Sequence, residues 1–428
     1  MSRPPIAPAL TAALLLAGCA SAPPAVPPQR YAFTPAPAPA GYTVVAPQLL
    51  YNAGRGFGFE PGYPPGRYFS VDLAEGNYRV SVSLGDDSHA ASTTIKSEVR
   101  RLMLENVATA AGEQVERSFI VNVRRAQIQP VAGIAAGAVA LKAPRETETE
   151  AWNWDGRLTL EFSEAAAVRS MTIAPVRVPT LFLLGDSTVS DQPGEPYTSW
   201  GQMLPRFFKP TLAVANHAES GETYRDSLAR RRIDKIVSQL QPGDTVLMQF
   251  GHNDQKQLKD ASGGPFTTYQ AEIRRHVAMV RARQGVPVLV TPVERRRFGA
   301  DGKPEATLTD YATAVRQCAR ELGVAVIDLN TLSQTLYAAL GETGSQAAFA
   351  LPETGRLDNT HHNRYGSYEL AKAVVLGLRQ SGLPLAAHIV DDFQFDPARP
   401  DPVSTFAVPP SPARSLQRPL GDESNAAR

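Results

Sequence analysis

The sequence contains little cysteine and no long apolar run. Two of its 428 residues are cysteines, Cys19 and Cys318, so disulfide bonds cannot supply most of the stability. Cys318 lies on the apolar stripe of a predicted helix, and we expect a buried thiol that packs like a small hydrophobic residue. No apolar run reaches the roughly 20 residues that a membrane-spanning helix needs. Stability must therefore come from packing, and the length allows two domains with a core each.

The sequence also has almost no excess charge. Its formal net charge is +1, with 43 Lys and Arg residues against 42 Asp and Glu residues. It contains no basic stripe interleaved with aromatic residues, the pattern that favours nucleic-acid binding. The composition therefore predicts no nucleic-acid partner, and it leaves the oligomeric state open.

The first residues have the composition of a targeting segment. A short apolar run at 9–17 follows a single positive charge, and small residues then lead to Cys19. Such an order is typical of signal segments. The tetrapeptide L-A-G-C at 16–19 resembles the bacterial lipoprotein signal, in which the cysteine becomes the lipidated first residue of the mature chain.

Two locations are compatible with this segment. We predict a signal at 1–19 and a membrane partner through a lipid anchor on Cys19, because one of only two cysteines stands where such an anchor needs it. Ala20 resembles the outer-membrane sorting pattern, so we expect an outer-membrane lipoprotein of the cell envelope. The alternative is an ordinary secretory signal cleaved near Ala22, and a secreted protein.

Two segments lack any hydrophobic periodicity. Residues 20–40 are rich in Pro and Ala, which predicts an extended linker between a membrane and the folded protein. Residues 396–428 are rich in Pro and then polar, and we expect this tail to be mostly disordered. Between these segments, the pattern changes once, near residue 177.

The first folded unit, 41–176, has a period of two residues. Apolar and polar residues alternate at 69–73 and again at 78–84 around the turn at 75–77, which predicts a hairpin with one solvated face. Further strands are expected in segments separated by Gly, Pro or Asp: 94–104, 118–123, 158–162 and 168–173. Many short strands without an amphipathic helix predict a β-sandwich of jelly-roll type.

Two tryptophans alternate with a polar residue in the motif W-N-W-D-G, and an extended chain would turn both to one side. Trp152 and Trp154 could form an aromatic platform for sugar rings. The alternative, which we favour, is that they pack the rim of the sandwich.

The second unit, 177–395, alternates strands with helices. Strands are predicted at 181–184, 212–215, 245–250, 286–291 and 324–329, and helices at 199–208, 225–240, 269–283, 308–322 and 367–380. This alternation predicts a parallel sheet covered by helices on both faces. The fold class is therefore α/β, with a β-sandwich domain in front.

Polar residues at the ends of these strands form a candidate catalytic set. Ser187 follows the first strand in the turn G-D-S-T and is the candidate nucleophile. Asp358 and His361 are three residues apart, so the carboxylate can orient the imidazole as the general base. The N–H groups of Ser187 and Gly221 and the side-chain amide of Asn253 are candidate donors for an oxyanion. No cofactor is required for this chemistry.

Other polar residues near these motifs have a structural and a functional interpretation. His217 and His252 lie beside glycine-containing turns, where we favour a structural hydrogen-bonding role over direct catalysis. Asp186 and Asp254 are expected to brace their loops. His362 could complete a metal site with its neighbours, but the sequence has no second ligand cluster, so we predict no metal.

Two arginines at strand or motif ends are either solvated charges or binding groups. Arg295 and Arg364 could receive the carboxylates of an acidic sugar, because a guanidinium forms paired hydrogen bonds with a carboxylate. We assign them, with His252, to substrate binding as a hypothesis.

Four separated motifs resemble the blocks of SGNH (GDSL-type) hydrolases: G-D-S-T, the glycine at 221, G-H-N-D at 251–254, and D-x-x-H at 358–361. Neighbouring residues resemble the rhamnogalacturonan acetylesterase branch, carbohydrate esterase family twelve. The likeness covers about 178–395 and implies a three-layer α/β/α fold with a flavodoxin-like parallel sheet. It also implies the triad and oxyanion hole assigned above. At His362 many relatives carry an aromatic residue.

The first unit resembles the galactose-binding-like module that precedes some pectin-degrading esterases. This weaker likeness depends on F-S-V-D-L-A-E-G-N-Y-R-V at 69–80 and W-D-G-R-L-T-L-E-F at 154–162. Together the two resemblances imply a serine esterase whose substrate is an acetylated plant polysaccharide, rhamnogalacturonan. The alternatives are an esterase for another acetylated glycan or acyl ester, and a non-catalytic polysaccharide-binding protein.

Overall fold

The computed structural model describes residues 27–34, 38–257, 263–412, 415 and 418–420. The predicted signal segment and the lipid anchor on Cys19 lie outside the described residues. Among the described residues, no helix combines the length and apolar character needed to cross a membrane.

The first domain is built from two five-stranded sheets that pack around an apolar core. The strands, in chain order, are β1 Gln29–Ala32, β2 Thr43–Val44, β3 Phe57–Phe59, β4 Tyr68–Asp72, β5 Gly76–Leu84, β6 Ala91–Ser97, β7 Arg101–Thr109, β8 Val115–Val123, β9 Gln127–Ile128, β10 Gly137–Ala138, β11 Arg157–Phe162 and β12 Val168–Pro175. One sheet has the order β2-β1-β12-β5-β8 and the other β3-β4-β11-β6-β7, while β9 and β10 pair separately. The predicted β-sandwich is confirmed.

The strand pairing differs from the sequence prediction in two places. β4 and β5 do not form a hairpin, because β4 pairs with β11 and β5 pairs with β8 and β12 in the other sheet. The alternation of apolar and polar residues indicates which side chains of a strand face a core, but it does not indicate which sheet the strand joins. The strand predicted at 94–104 is divided into β6 and β7 by a turn, with positive φ angles at Glu98 and Arg100.

Both ends of the described chain are more ordered than their composition predicts. β1 lies inside the predicted linker and pairs with β12, and Tyr31 is buried in the sandwich core. In the predicted disordered tail, Lys96 donates to the carbonyl of Pro409 at 2.7 Å and Ser411 donates to Glu161 at 2.7 Å. Proline lacks an N–H but keeps its carbonyl acceptor, so a Pro-rich segment can still be held by buried donors.

The second domain contains a five-stranded parallel sheet. Its strands are β13 Thr180–Gly185, β14 Ala213–Asn216, β15 Thr245–Gln249, β16 Val286–Val290 and β17 Ala325–Ile327, in the order β14-β13-β15-β16-β17. Its helices are α1 Trp200–Met203, α2 Tyr224–Ala229, α3 Arg232–Gln239, α4 Gln270–Arg281, α5 Thr309–Leu322, α6 Leu329–Gly344 and α7 Arg364–Gln380. All strand pairs are parallel.

The alternating residues of β13 face two different helical layers. Leu181 and Leu183 pack in a core with α1, α6 and α7, whereas Phe182 and Leu184 pack in a second core with α3, α4 and α5. The sheet is therefore covered on both faces, and the predicted three-layer α/β/α class is confirmed. β13 lies between β14 and β15, where the strand order reverses, which is where open parallel sheets place their ligand sites.

Two helical details were not predicted correctly. The helix predicted at 225–240 is two helices, α2 and α3, separated at Arg231, whose φ angle is +63°. Helix α6 was not predicted, although Leu329, Leu332, Leu336 and Leu340 recur there at the spacing of a helical face.

Candidate active site

The turn after β13 holds Ser187 at the carboxyl end of the sheet. Gly185 has no room for a side chain, because a Cβ there would lie 2.6 Å from the carbonyl oxygen of Gln249. The Asp186 carboxylate accepts hydrogen bonds from the backbone N–H of Thr188 at 3.0 Å and from its hydroxyl at 2.8 Å. This side-chain-to-backbone bonding fixes the turn and thereby the position of Ser187.

The structure brings Ser187, His361 and Asp358 together in one hydrogen-bonded chain. Ser187 Oγ lies 2.9 Å from His361 Nε2, and His361 Nδ1 lies 3.0 Å from Asp358 Oδ2. The exposed fractions of the three residues are 3%, 2% and 5%. Because a carboxylate only accepts, the proton is assigned to Nδ1, which leaves the Nε2 lone pair for the serine hydroxyl.

The environment of Asp358 keeps its carboxyl group ionised. Burial by itself raises the pKa of Asp358, but the hydrogen bond and charge of His361 outweigh burial and hold that pKa well below its usual value. The backbone N–H groups of Thr360 and His361 donate to Oδ1 at 2.8 and 3.0 Å. The carboxylate can therefore stabilise the imidazolium that forms when the base takes a proton.

The three predicted oxyanion donors lie in loops that follow β13, β14 and β15. Within the described part of the chain, the backbone N–H groups of Ser187 and Gly221 have no hydrogen-bond acceptor. Gly221 has a φ angle of +74°, which favours glycine. The Asn253 amide donates one of its two hydrogens to the carbonyl of Glu222 at 3.0 Å, so the amide is oriented while a second donor remains.

The three residues predicted to bind substrate have contacts within the protein. His252 is buried, with its Nδ1 atom 3.2 Å from Asp186. Arg295 is buried and donates to Thr307 at 3.3 Å. Arg364 donates to the carbonyl of Val408 and lies 3.3 Å from Glu195. These contacts hold the side chains in place, and their assignment to substrate binding stays a prediction.

His252 and Asp254 have the bracing roles that the sequence analysis favoured, whereas His217 does not. Asp254 accepts from the backbone N–H of Tyr224 at 3.2 Å, and burial raises its pKa well above the usual value. His217 packs between the rings of Trp154 and Phe182, and neither ring nitrogen has a hydrogen-bond partner among the described residues. Burial, followed by the nearby cations, lowers the pKa of His217 well below its ordinary value.

His362 is a structural neighbour of the base. Its Nε2 atom lies 2.7 Å from the hydroxyl of Tyr337, and its ring packs 4.3 Å from the ring of Phe349. Burial and the nearby His361 lower the pKa of His362 to about 3. In the described ranges, no group of three or more His, Cys, Asp or Glu side chains could hold a metal ion.

The two tryptophans of the sandwich domain do not form a platform. Both are buried. Trp152 packs with Tyr68 and Val99, whereas Trp154 belongs to a core of the second domain and donates to Glu146 at 3.1 Å. The packing interpretation therefore describes them better than the sugar-stacking interpretation, and they do not share one side.

Three contacts at the site were not predicted. Gln192 Nε2 donates to the carbonyl of Ser187 at 2.7 Å. Arg418, in the tail, approaches Asp358 Oδ2 with Nε at 3.0 Å and Nη2 at 3.0 Å, and Leu420 lies against Gly221. No local sequence pattern identifies the contacts of Arg418 and Leu420, because they join loops of the site to a distant tail.

Comparison with known proteins supports the same assignment. Residues 183–366 match the model of the GDSL-like Lipase/Acylhydrolase family. The chain is 38% identical over 227 residues to rhamnogalacturonan acetylesterase RhgT of Bacillus subtilis (strain 168), covering 50% of this chain and 95% of that protein. It is 32% identical over 219 residues to the probable rhamnogalacturonan acetylesterase YesY of the same organism, covering 50% of this chain and 98% of that protein.

A third relative extends into the first domain. The uncharacterized esterase YxiM of Bacillus subtilis (strain 168) is 26% identical over 322 residues, which is 74% of this chain and 75% of that protein. The serine at the carboxyl end of the sheet, its hydrogen-bonded histidine and aspartate, and these matches lead to one assignment. The chain belongs to the GDSL-like lipase/acylhydrolase family and is an ester hydrolase.

Proposed function

We propose that the protein is a carbohydrate acetylesterase that removes O-acetyl groups from a plant cell-wall polysaccharide, rhamnogalacturonan. The observation that carries the proposal is the hydrogen-bonded chain from Ser187 through His361 to Asp358, beside two N–H groups without an acceptor among the described residues. The names of two relatives, which share at least 32% identity with this chain, support the substrate class.

The geometry supports a two-step acyl transfer. The Nε2 atom of His361 takes the proton of Ser187 as Oγ attacks the acetyl carbonyl carbon. The N–H groups of Ser187 and Gly221 and the amide of Asn253 stabilise the oxyanion. The imidazolium then donates its proton to the leaving sugar oxygen, which leaves an acetyl group on Ser187. Water, deprotonated by His361, releases acetate and restores the serine.

The surroundings of the nucleophile favour a small acyl group. Ser187 and Asn253 are both buried, and the loops that carry them are polar; of the exposed large apolar side chains in the described residues, Leu420 is the one that lies against the site, at Gly221. A long acyl chain needs an apolar surface in which to lie. We therefore propose acetyl esters rather than lipids as the substrates.

A panel of esters tests this proposal. The purified protein would be incubated with acetylated rhamnogalacturonan, acetylated xylan and acetylated mannan, and the released acetate measured against time. Aryl acetate and aryl octanoate would report acyl length. We expect the fastest release from rhamnogalacturonan and a strong preference for the aryl acetate. Faster release from xylan or mannan would reject the substrate, and faster cleavage of the octanoate would reject the acyl group.

The remaining parts of the proposal concern location and the first domain. We propose that Cys19 carries a lipid and holds the enzyme at the outer membrane, supported by the motif at 16–19 and the Pro- and Ala-rich residues that follow. Fractionation of cells that express the wild type or Cys19→Ser tests this, because only the wild type should be recovered with membranes. We also propose that the sandwich is a galactose-binding-like module, supported by its two five-stranded sheets.

A further inference from the structure

A segment that precedes the hydrolase domain in the chain contacts the loop that carries Gly221. Lys142 lies in the first domain between β10 and β11, and its Nζ donates to the carbonyl oxygen of Ser220 at 2.5 Å. The same ammonium group lies 3.1 Å from Glu222 Oε1. Lys142 therefore contacts the residues on both sides of Gly221.

The carbonyl that Lys142 binds and the N–H of Gly221 belong to the same peptide group. A peptide group is planar and trans, so its C=O and N–H bonds point in opposite directions. Holding the Ser220 oxygen on the Lys142 side therefore directs the Gly221 N–H away from Lys142. This N–H has no acceptor among the described residues, as expected for a donor kept for the reaction.

This peptide group needs an external restraint. Glycine adopts positive and negative φ angles about equally well, so the +74° angle at Gly221 does not by itself fix the direction of the N–H. A rotated peptide would turn the carbonyl of Ser220 toward the position of the oxyanion. The charged hydrogen bond from Lys142 opposes that rotation.

A second contact from the same segment supports the loop. Arg145 donates to Ser220 Oγ at 3.1 Å and to Gln192 Oε1 at 3.0 Å. Gln192 in turn donates to the carbonyl of Ser187. The segment therefore contacts the loop of Gly221 directly and the nucleophile turn through one glutamine.

We propose that Lys142 is a positioning residue that orients the Gly221 amide of the oxyanion hole, so that the segment before the hydrolase domain completes the catalytic site. The inference rests on the proposed function, because it assigns a role in the same reaction. Lys142 acts through the Ser220 peptide and does not itself touch the substrate.

The surrounding charges make this inference testable by substitution. Glu222 also lies 3.3 Å from Arg232 Nε and 3.4 Å from Arg230 Nε, so loss of Lys142 does not leave this buried carboxylate unpaired. We therefore expect Lys142→Met to fold. Arg230→Met is the matched control: it removes another cation from Glu222 and a hydrogen bond to Ala140 across the domains, but it has no contact with the Ser220 carbonyl.

The experiment compares the wild type, Lys142→Met, Lys142→Arg and Arg230→Met on an aryl acetate. Removing an oxyanion donor typically lowers kcat by about 100- to 1000-fold. A donor that is present but points in the wrong direction should lower kcat by less. We expect Lys142→Met to lower kcat by about 10- to 100-fold with KM nearly unchanged. Lys142→Arg should recover part of the loss, and Arg230→Met should stay within about threefold of the wild type.

The rate constant for inactivation by an aryl phosphonate separates positioning from folding. The phosphonate forms a tetrahedral adduct on the serine. The inactivation rate constant is measured per active site, so it does not depend on the fraction of the protein that is folded. This rate should fall in Lys142→Met in parallel with kcat. Equal inactivation rate constants for Lys142→Met and Arg230→Met would overturn the role of Lys142 and leave the proposed function standing. A wild type that neither cleaves the acetate nor reacts with the phosphonate would overturn the proposed function.

Discussion

Replacement of Asp358 by asparagine tests the relay between the carboxylate and the base. In the wild type, Asp358 accepts from His361 Nδ1 at 3.0 Å, which leaves Nε2 unprotonated toward Ser187. An asparagine amide can donate to Nδ1 and favour the other tautomer, in which Nε2 carries the proton. The hydroxyl of Ser187 would then face a donor instead of a base.

The expected loss is large because both the tautomer and the charge are changed. An Asp-to-Asn change in a Ser-His-Asp triad with retained geometry lowers kcat by about 10,000-fold, which corresponds to roughly 5 kcal/mol of transition-state stabilisation. The structure supports a value of this size, because Asp358 is buried and its pKa is held well below the usual value. We expect this loss in kcat on an aryl acetate.

Asp244→Asn is a matched control for this substitution. Asp244 is also 5% exposed, and it accepts from the N–H groups of Thr180 and Gln241 at 2.8 and 2.9 Å. It lies at the amino ends of the strands, far from Ser187 along the sheet. We expect Asp244→Asn to lower thermal stability and keep kcat within a few fold. The reasoning fails if Asp358→Asn retains more than a tenth of the activity, or if both variants lose it equally.

Three further predictions concern the donors, the tail and pH. Asn253→Ala should lower kcat on an aryl acetate by about 100-fold or more at unchanged melting temperature; an unchanged kcat would place the oxyanion elsewhere. Arg418 in the tail pairs with Asp358, so a substrate that reaches the triad would have to displace it, and a partly exposed ion pair contributes at most about 1 kcal/mol. Arg418→Ala should therefore raise kcat/KM on the polysaccharide up to about fivefold; a decrease would contradict this. Burial is the main reason that the pKa of His276 is lowered to about 4 and the pKa of His362 to about 3. At these two positions the unfolded chain therefore binds more protons than the folded chain below pH about 6.5, and together the two histidines should lower the free energy of unfolding by about 2.4 kcal/mol between pH 6 and 5; equal urea midpoints at these two pH values would contradict this.

The sequence predicted those features that depend on local pattern. The apolar run before Ser187 identifies a buried strand that ends in a polar turn. The three-residue spacing of Asp358 and His361 identifies a carboxylate that can orient an imidazole. Parallel strands expose their carboxyl ends at one edge, where Ser187 lies, and we expected the loop before the last helix to bring Asp358 and His361 to that edge. The structure places them within hydrogen-bonding distance.

The features that were not predicted depend on contacts between distant segments. Lys142 is an ordinary charged residue in a loop, and only the packing of the two domains shows that it meets Ser220. Arg295 follows a strand, and its hydrogen bond to Thr307 across the next loop was not predicted. Period-two alternation at β4 and β5 gave the strands but not their sheets, because both sheets bury one face against the same core.

The role of Ser187 as the nucleophile is tested by measuring acetate release by the Ser187→Ala protein. Ser227→Ala is its matched control, because Ser227 Oγ lies 3.1 Å from His276 Nε2 in a second buried serine–histidine pair. The account predicts that Ser187→Ala loses more than about 1000-fold in acetate release from acetylated rhamnogalacturonan, while Ser227→Ala keeps most of it. Retained release by a folded Ser187→Ala protein would contradict the assignment of the nucleophile.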